Sequence, residues 1–508
     1  MCALWQLFKM GNVKKTVALA WALGAVFSVY AEAVVDDTPT RVQTALEIPF
    51  RCVGTLTPKS ISEVSATRWT LDCAGMDREH ADWRAVREYI APLGIARIRV
   101  QAGWARCEKD PGVYDFAWLD QIVFDAHKRG IGVWMELSYG NPAYPGGGGR
   151  QLAAGIPSSG EGLLAWDRWV EKLARRYKGV VTDWCVWNEP DFGKNDVGAV
   201  VDFTIRTAEI VKREIPAAKI AAMALMYARV DYVEPFVVAL KARGKTQLFD
   251  SIAYHHYALN PDDGYEQVEQ CHQIVSRHAP NLRMWEGEGG TLSEWCAAGA
   301  LSRHPWTELT QAKYDLRRSL GDLGHGDDTE VFHLCDLEYR TSGFHDGLLR
   351  YGLLKTTGQA AGYRVLKVKM SYYAIQNAVS VFNDRLDSLA TRTTSRIEGL
   401  VRPAIYDWQV AGQGEKIVVF WEAASVPSDE MNAKEAVLVV GGVPFKDPVL
   451  VDLLTGNAFE IPVERTQAAG GVTKYHIYAY DAPMFVTGRR QLALSHSWEV
   501  REGLLKAK

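Results

Sequence analysis

Lysines and arginines form no block anywhere in this chain of 508 residues, and its formal net charge is −4. Without a basic face to neutralise phosphates, a nucleic-acid partner is excluded. Cysteine is sparse: eight residues at irregular spacing, with no C-x-x-C. That pattern offers neither a zinc site nor a dense disulfide framework. No H-E-x-x-H occurs either, and the adjacent pair His255–His256 lies in a strand-like run, where neighbours face opposite sides and cannot easily share one ion. No metal and no cofactor is therefore expected. Beyond residue 33 no hydrophobic run approaches the about 20 residues that a membrane span requires.

What is present begins with a leader-like segment. Lys14 and Lys15 precede the apolar stretch "TVALAWALGAVFSVYA", which ends at the A-x-A pattern Ala31-Glu32-Ala33. Residues 1–33 thus read as a signal peptide, implying a secreted or periplasmic protein with no membrane attachment after cleavage. Of the seven later cysteines, Cys185 and Cys335 sit in apolar runs as small buried fillers, and a Cys73–Cys107 bridge is conceivable. The chain is too long for one ordinary core, so a large domain with a smaller companion is expected.

From residue 68 onward, short apolar runs alternate with helical patterns. The runs are "RWTLDC", "IARIRVQ", "IGVWMELS", "VVTDWCVW", "KIAAMAL", "DSIAYHHY", "LRMWEGE" and "EVFHLCD". Between the third and fourth, "WDRWVEKLARRY" places Trp166, Trp169, Val170, Leu173, Ala174 and Tyr177 on one helical stripe. Eight strand–helix repeats over roughly 270 residues predict a parallel (β/α)8 barrel over 67–382. An open doubly wound sheet is the alternative, but no Gly-rich phosphate loop follows the first strand. Residues 34–66 are an irregular lead-in. After a closing helix at 371–382, short strands with turn residues between them predict a β-sandwich over 383–490, joined by strands from the lead-in and followed by a tail at 491–508. The four glycines at 146–149 fall in the loop after the third strand, as a flexible wall of the site or a plain linker.

Barrel enzymes carry their chemistry at the C-terminal ends of the strands. Glu189 lies just past the fourth run, in "WNEPD", and Glu286 and Glu288 end the seventh, in "RMWEGEGG". Those two strands face each other across a barrel mouth, so two carboxylates separated by 99 residues of chain can meet there. Such a pair suits glycosidic bond cleavage: one acid protonates the departing oxygen, the other attacks or directs water.

"WNEPD" after a fourth strand and W-x-x-E at the end of a seventh resemble the clan A glycoside hydrolases, most nearly family 39 and its relatives. The likeness spans about residues 68–380. It implies a retaining mechanism with Glu189 as acid/base and Asn188 donating to the sugar 2-hydroxyl. Matching the clan's W-x-T-E-x-G to Trp285–Gly290 assigns the nucleophile to Glu288, with Gly287 in place of the usual Thr and Glu286 second in line. In "GIARIRVQAGWARCEKDPGVYDFAWLD" the likeness implies Arg99 and Trp104 near the nucleophile, and in "DSIAYHHY" it implies His255 and Tyr257. Tyr139 and Asp72, with Trp69, Tyr144, Trp187 and Asp336, lie near strand ends and could line a saccharide cleft, each being about as suited to the core. The expected partner is a carbohydrate substrate. Two other readings keep the same barrel: a carbohydrate-binding pseudoenzyme and a transglycosylase.

Overall fold

The computed structural model of the protein describes residues 42, 44–192, 195–340, 347–388, 394–411 and 415–495. The leader expected at 1–33 and positions 496–508 of the expected tail lie outside these residues. Eight parallel strands stand in sequence order: β1 (Trp69–Asp72), β2 (Arg97–Gln101), β3 (Gly132–Leu137), β4 (Asp183–Val186), β5 (Lys219–Leu225), β6 (Ser251–His255), β7 (Arg283–Glu288) and β8 (Thr329–Val331). Strand β8 returns to pair with β1. The ring closes between β7 and β8 through Glu286 N–H to Asp328 C=O and Phe332 N–H to Gly289 C=O, both 3.0 Å. Seven of the eight apolar runs hold one strand each, the eighth strand begins one residue before "EVFHLCD" and covers only Glu330 and Val331 of it, and the architecture is a (β/α)8 barrel with accessory antiparallel sheets. No helix among the described residues is long and apolar enough to cross a membrane.

The helices follow from amphipathic stripes and caps. In Gly160–Tyr177, Ser159 accepts from the Gly162 N–H at the N-terminus, and the stripe from Trp166 to Tyr177 is fully buried against the barrel. Inside the ring, Trp134 and Trp285 meet at 4.3 Å between ring centroids, with Cys185, Ala221, Ala224 and Ala253 leaving them room. Above this plug the barrel interior turns from apolar to charged.

The accessory sheets form a two-layer sandwich. The eight-stranded sheet includes Pro403–Val410, Lys416–Glu422, Met484–Gly488 and Pro448–Asp452. The lead-in supplies to it the strand Cys52–Leu56. In Lys416–Glu422 the side chains of Val418 and Phe420 enter the sandwich core while Ile417, Val419 and Trp421 join the barrel's core. Both faces are covered, which explains an uninterrupted apolar run in an antiparallel strand. Between the two units the helix Glu308–His325 is buried on all sides, its cations paired: Lys313 with Asp481 at 2.6 Å and Arg317 with Asp262 at 2.5 Å.

Two expectations are corrected. The glycines at 146–149 are not slack. A Cβ on Gly147 would stand 2.3 Å from the Asn141 carbonyl and one on Gly148 2.4 Å from that of Gly155, so main chain packs on main chain where only glycine fits. Cys73 and Cys107 are free thiols, both buried, and Cys107 Sγ donates to the Ala102 carbonyl at 3.2 Å.

Candidate active site

Glu189 reaches the barrel mouth through an unusual backbone. Past the end of β4, Trp187 and Glu189 both adopt left-handed conformations, with φ of 71° and 49°. Non-glycine residues in that region cost on the order of 1–3 kcal/mol each and persist only where the surroundings enforce them. Here Glu189 N–H donates to Ala224 C=O at 2.7 Å and Ala224 N–H to Trp187 C=O at 3.2 Å, so β5 holds the turn.

Glu288 and Glu286 are separated by a change of register. Residues two apart in a regular strand share a face. Against β6, however, Tyr254 pairs with Glu286 and the next residue, His255, with Glu288, which leaves Gly287 as an extra residue. A Cβ at Gly287 would approach the Trp134 ring to 3.1 Å, so glycine here makes room for the interior tryptophan. Glu288 consequently turns into the mouth, while Glu286 turns to the β7–β8 seam. There its carboxyl accepts from the N–H groups of Glu288 and Glu330, both at 2.9 Å, adding side-chain bonds to the two main-chain bonds that close the seam.

The mouth brings together most of the residues expected there. One carboxylate oxygen from each of Glu189 and Glu288, and a ring nitrogen of His255, all lie within 4.8 Å of one another. His255 Nδ1 is hydrogen-bonded to Glu189 Oε1 at 2.7 Å, and its Nε2 is 3.8 Å from Glu288 Oε2. Tyr257 donates its hydroxyl to Glu288 Oε1 at 2.8 Å, and Arg99 Nη1 stands 2.5 Å from Oε2. Asn188 accepts from Arg99 through Oδ1 at 2.5 Å and donates to the Tyr139 hydroxyl at 2.7 Å.

Two expected cleft residues stand elsewhere. Asp72 is buried beneath Arg99, accepting from Nη1 at 2.7 Å, and presents nothing to the mouth. Trp104 is buried among Tyr144, Trp166 and Trp169, and its indole N–H is committed to Glu108 at 2.6 Å. The helix stripe that buries Trp166 and Trp169 draws Trp104 into the same aromatic cluster. His256 faces outward, accepting from Arg318 at 2.7 Å.

Charge is divided unequally between the two acids. Burial pushes Glu189 above the ordinary glutamate value, and the negative charge of Glu288 adds to this against the opposing pull of His255. Burial also works on Glu288, but His255, Arg99 and the hydrogen bonds from Arg99 and Tyr257 outweigh it and hold the carboxyl at about 2. His255 is raised: burial opposes its charge, and the two glutamates overcome that. The two acids are thus shifted in opposite directions, Glu288 down and Glu189 up.

Glu189, His255 and Glu288 offer three atoms at metal-ligand spacing. Both oxygens of Glu288 are already taken, by Arg99 and by Tyr257, and the Arg99 guanidinium occupies the side from which a cation would gain most.

Sequence reading missed Glu136 and Arg78. Glu136 in β3 holds Arg99 through Nε and Nη2 at 3.1 and 2.8 Å; an acid inside the apolar "VWMEL" was its signal. Arg78 lies on the loop after β1, where no pattern pointed to it.

The fold has solved counterparts. The family 39 glycoside hydrolase from Bacteroides cellulosilyticus WH2 superposes with a TM-score of 0.59 at 17% identity, over 84% of this chain and 81% of that one. The GH39 enzyme from Xanthomonas axonopodis pv. citri gives 0.52 at 15% identity, over 83% and 94%. The monomeric beta-xylosidase from Caulobacter crescentus CB15 gives 0.51 at 16% identity, over 85% and 97%. At such identities the likeness establishes the fold. No protein-family model matches the chain, and no curated protein matches it.

Proposed function

We propose that the protein is a retaining glycoside hydrolase that cleaves β-glycosidic bonds of oligo- or polysaccharides by double displacement, after export directed by its N-terminal leader. The observation that carries this reading is the approach of Glu189 and Glu288 to within 4.8 Å, with opposite preferences for a proton. Retaining glycosidases hold their two carboxyls about 5–5.5 Å apart, whereas inverting ones leave about 6.5–9.5 Å for a water. The names of the similar-fold enzymes, family 39 and beta-xylosidase, support the same reading.

In the first step Glu288, ionised and fixed by Arg99 and Tyr257, attacks the anomeric carbon. The bond to the aglycone oxygen breaks as Glu189 delivers its proton there. Forming the glycosyl ester removes the negative charge of Glu288, and with it one of the causes that hold Glu189 up. Glu189 then accepts a proton from water, which attacks the anomeric carbon and releases Glu288. His255, hydrogen-bonded to the acid and close to the nucleophile, responds to charge on both.

A panel of aryl β-glycosides differing only in the sugar tests the activity. Release of the aryl alcohol from at least one member is expected. Binding of sugars with no cleavage of any member would mean a binding protein, and products enlarged by added acceptor sugars would mean a transglycosylase.

A further inference from the structure

Beside the acid pair, a cavity of about 250 Å³ opens between the loops that follow β1, β2 and β3. Tyr139 forms a wall of it, and the hydroxyl of that residue is the one that accepts from Asn188 next to Glu189. The cavity thus adjoins the mouth across the Tyr139 ring. Its lining is cationic in a chain whose net charge is negative: Arg78, Arg106, Lys109 and Arg150 against Asp77 and Glu79.

The two acids are accounted for. Asp77 accepts from Arg78 Nε at 3.2 Å, and Glu79 stands 3.4 Å from Arg106. Arg106 is further committed to the Met76 carbonyl and lies over the Trp118 ring at 4.4 Å. What remains is positive. Arg78 uses Nε on Asp77 and Nη2 on Gln101, while its Nη1 has no hydrogen-bond partner among the described residues. Its side chain is only 14% exposed, 5.0 Å from the centre of the Tyr139 ring. Lys109 and Arg150 stand exposed at the rim, and neither side chain has a hydrogen bond or ion pair among the described residues.

We infer that this cavity receives an anionic substituent of the saccharide, a uronate carboxylate or a sulfate ester, with Arg78 as its inner contact and Lys109 and Arg150 as outer ones. This rests on the glycosidase reading and specifies its substrate class. A guanidinium presents parallel N–H groups that match the paired oxygens of either anion, and a partly buried arginine is screened less by salt than a surface one. A neutral sugar would give no anionic partner to Arg78 Nη1, Lys109 or Arg150.

The test uses the whole protein with β-linked trisaccharides of glucose and of galactose, each in neutral, C6-carboxylate and O6-sulfate form. Calorimetric binding and kcat/KM are both measured. At least a tenfold preference for one charged form is expected, shrinking as salt is raised. The charged form preferred distinguishes uronate from sulfate. In the double variant Lys109→Met/Arg150→Gln, whose positions are exposed, the ratio of charged to neutral should fall about tenfold; Arg78→Lys should lower it through loss of the fork. Equal handling of charged and neutral forms, or an unchanged ratio in these variants, overturns the inference. Binding that prefers the charged form without cleavage of any glycoside would uphold the cavity's role and refute the glycosidase reading instead.

Discussion

Arg99 is gripped by Glu136 through two nitrogens, at 2.8 and 3.1 Å, and from that anchorage reaches Glu288 at 2.5 Å. The guanidinium plane is thereby fixed before substrate arrives, and Glu288 inherits its position. Glu136→Gln loosens that grip without emptying the space. It should lower kcat roughly 100-fold with a much smaller change in KM, since a displacement of about 1 Å at the reacting group costs that much. Steady-state kinetics on an aryl glycoside decide it; an unchanged kcat would show that Arg99 needs no such anchor.

Glu286 and Glu288, two residues apart, should separate cleanly by substitution. Glu288→Gln removes the proposed nucleophile and should cost about 10⁴-fold or more in kcat, with sugar binding retained. Glu286→Gln should keep most of the turnover and instead lower stability by about 1–3 kcal/mol, because its carboxyl serves N–H groups at the barrel seam. The reverse outcome would exchange their roles.

The pH profile follows from the unequal acids. Glu288 stays ionised down to about pH 2, so the alkaline limb of kcat/KM is the accessible one and reports Glu189 losing its proton above the ordinary glutamate value. Because the charge of Glu288 helps hold Glu189 up, Glu288→Gln should shift the Glu189 titration toward acid. Carbon-13 NMR of the glutamate carboxyls measures this directly. A titration that stays in place would mean that burial alone sets it.

Far from the mouth, Asp315 gives a stability prediction. It is buried between the helices Glu308–His325 and Met370–Val381, accepts from Ser371 at 2.5 Å, and is pushed up to about 8 by burial. A raised carboxyl binds its proton more tightly folded than unfolded. Its contribution is therefore fully present below the unfolded value of 3.8 and is lost as pH rises to about 8. Asp315→Asn should remove about 1.4 kcal/mol per pH unit of that decline between pH 5 and 8, as read by urea unfolding. Identical slopes in the two proteins would contradict it.

Much of the fold was legible because its signals are local. The apolar runs from "RWTLDC" to "LRMWEGE" each hold a strand, only the start of "EVFHLCD" does, and the Trp166–Tyr177 stripe became a buried helix face. Glu189 was placed by the rule that barrel strand ends face the mouth, and Arg99, His255 and Tyr257 by the likeness of their motifs to clan A glycoside hydrolases. What failed depended on geometry that no local pattern carries. Motif likeness favoured Glu288 over Glu286, but what parts the two, the extra residue at Gly287, is not visible in the alternation of the strand. Trp104 sits at a strand end, yet its ring is claimed by aromatics from a helix some 60 residues on. The glycines at 146–149 suggest slack by composition, whereas their close contacts come from chain that returns at Gly155 and Ser159.

Proton NMR of the sugar released in the first minutes of hydrolysis, before mutarotation, tests the central claim most directly. Double displacement through Glu288 and Glu189 predicts that a β-glycoside first yields the β-anomer. First appearance of the α-anomer would mean a single displacement by water, which two carboxyls within 4.8 Å of each other leave no room to direct, and would contradict the mechanism.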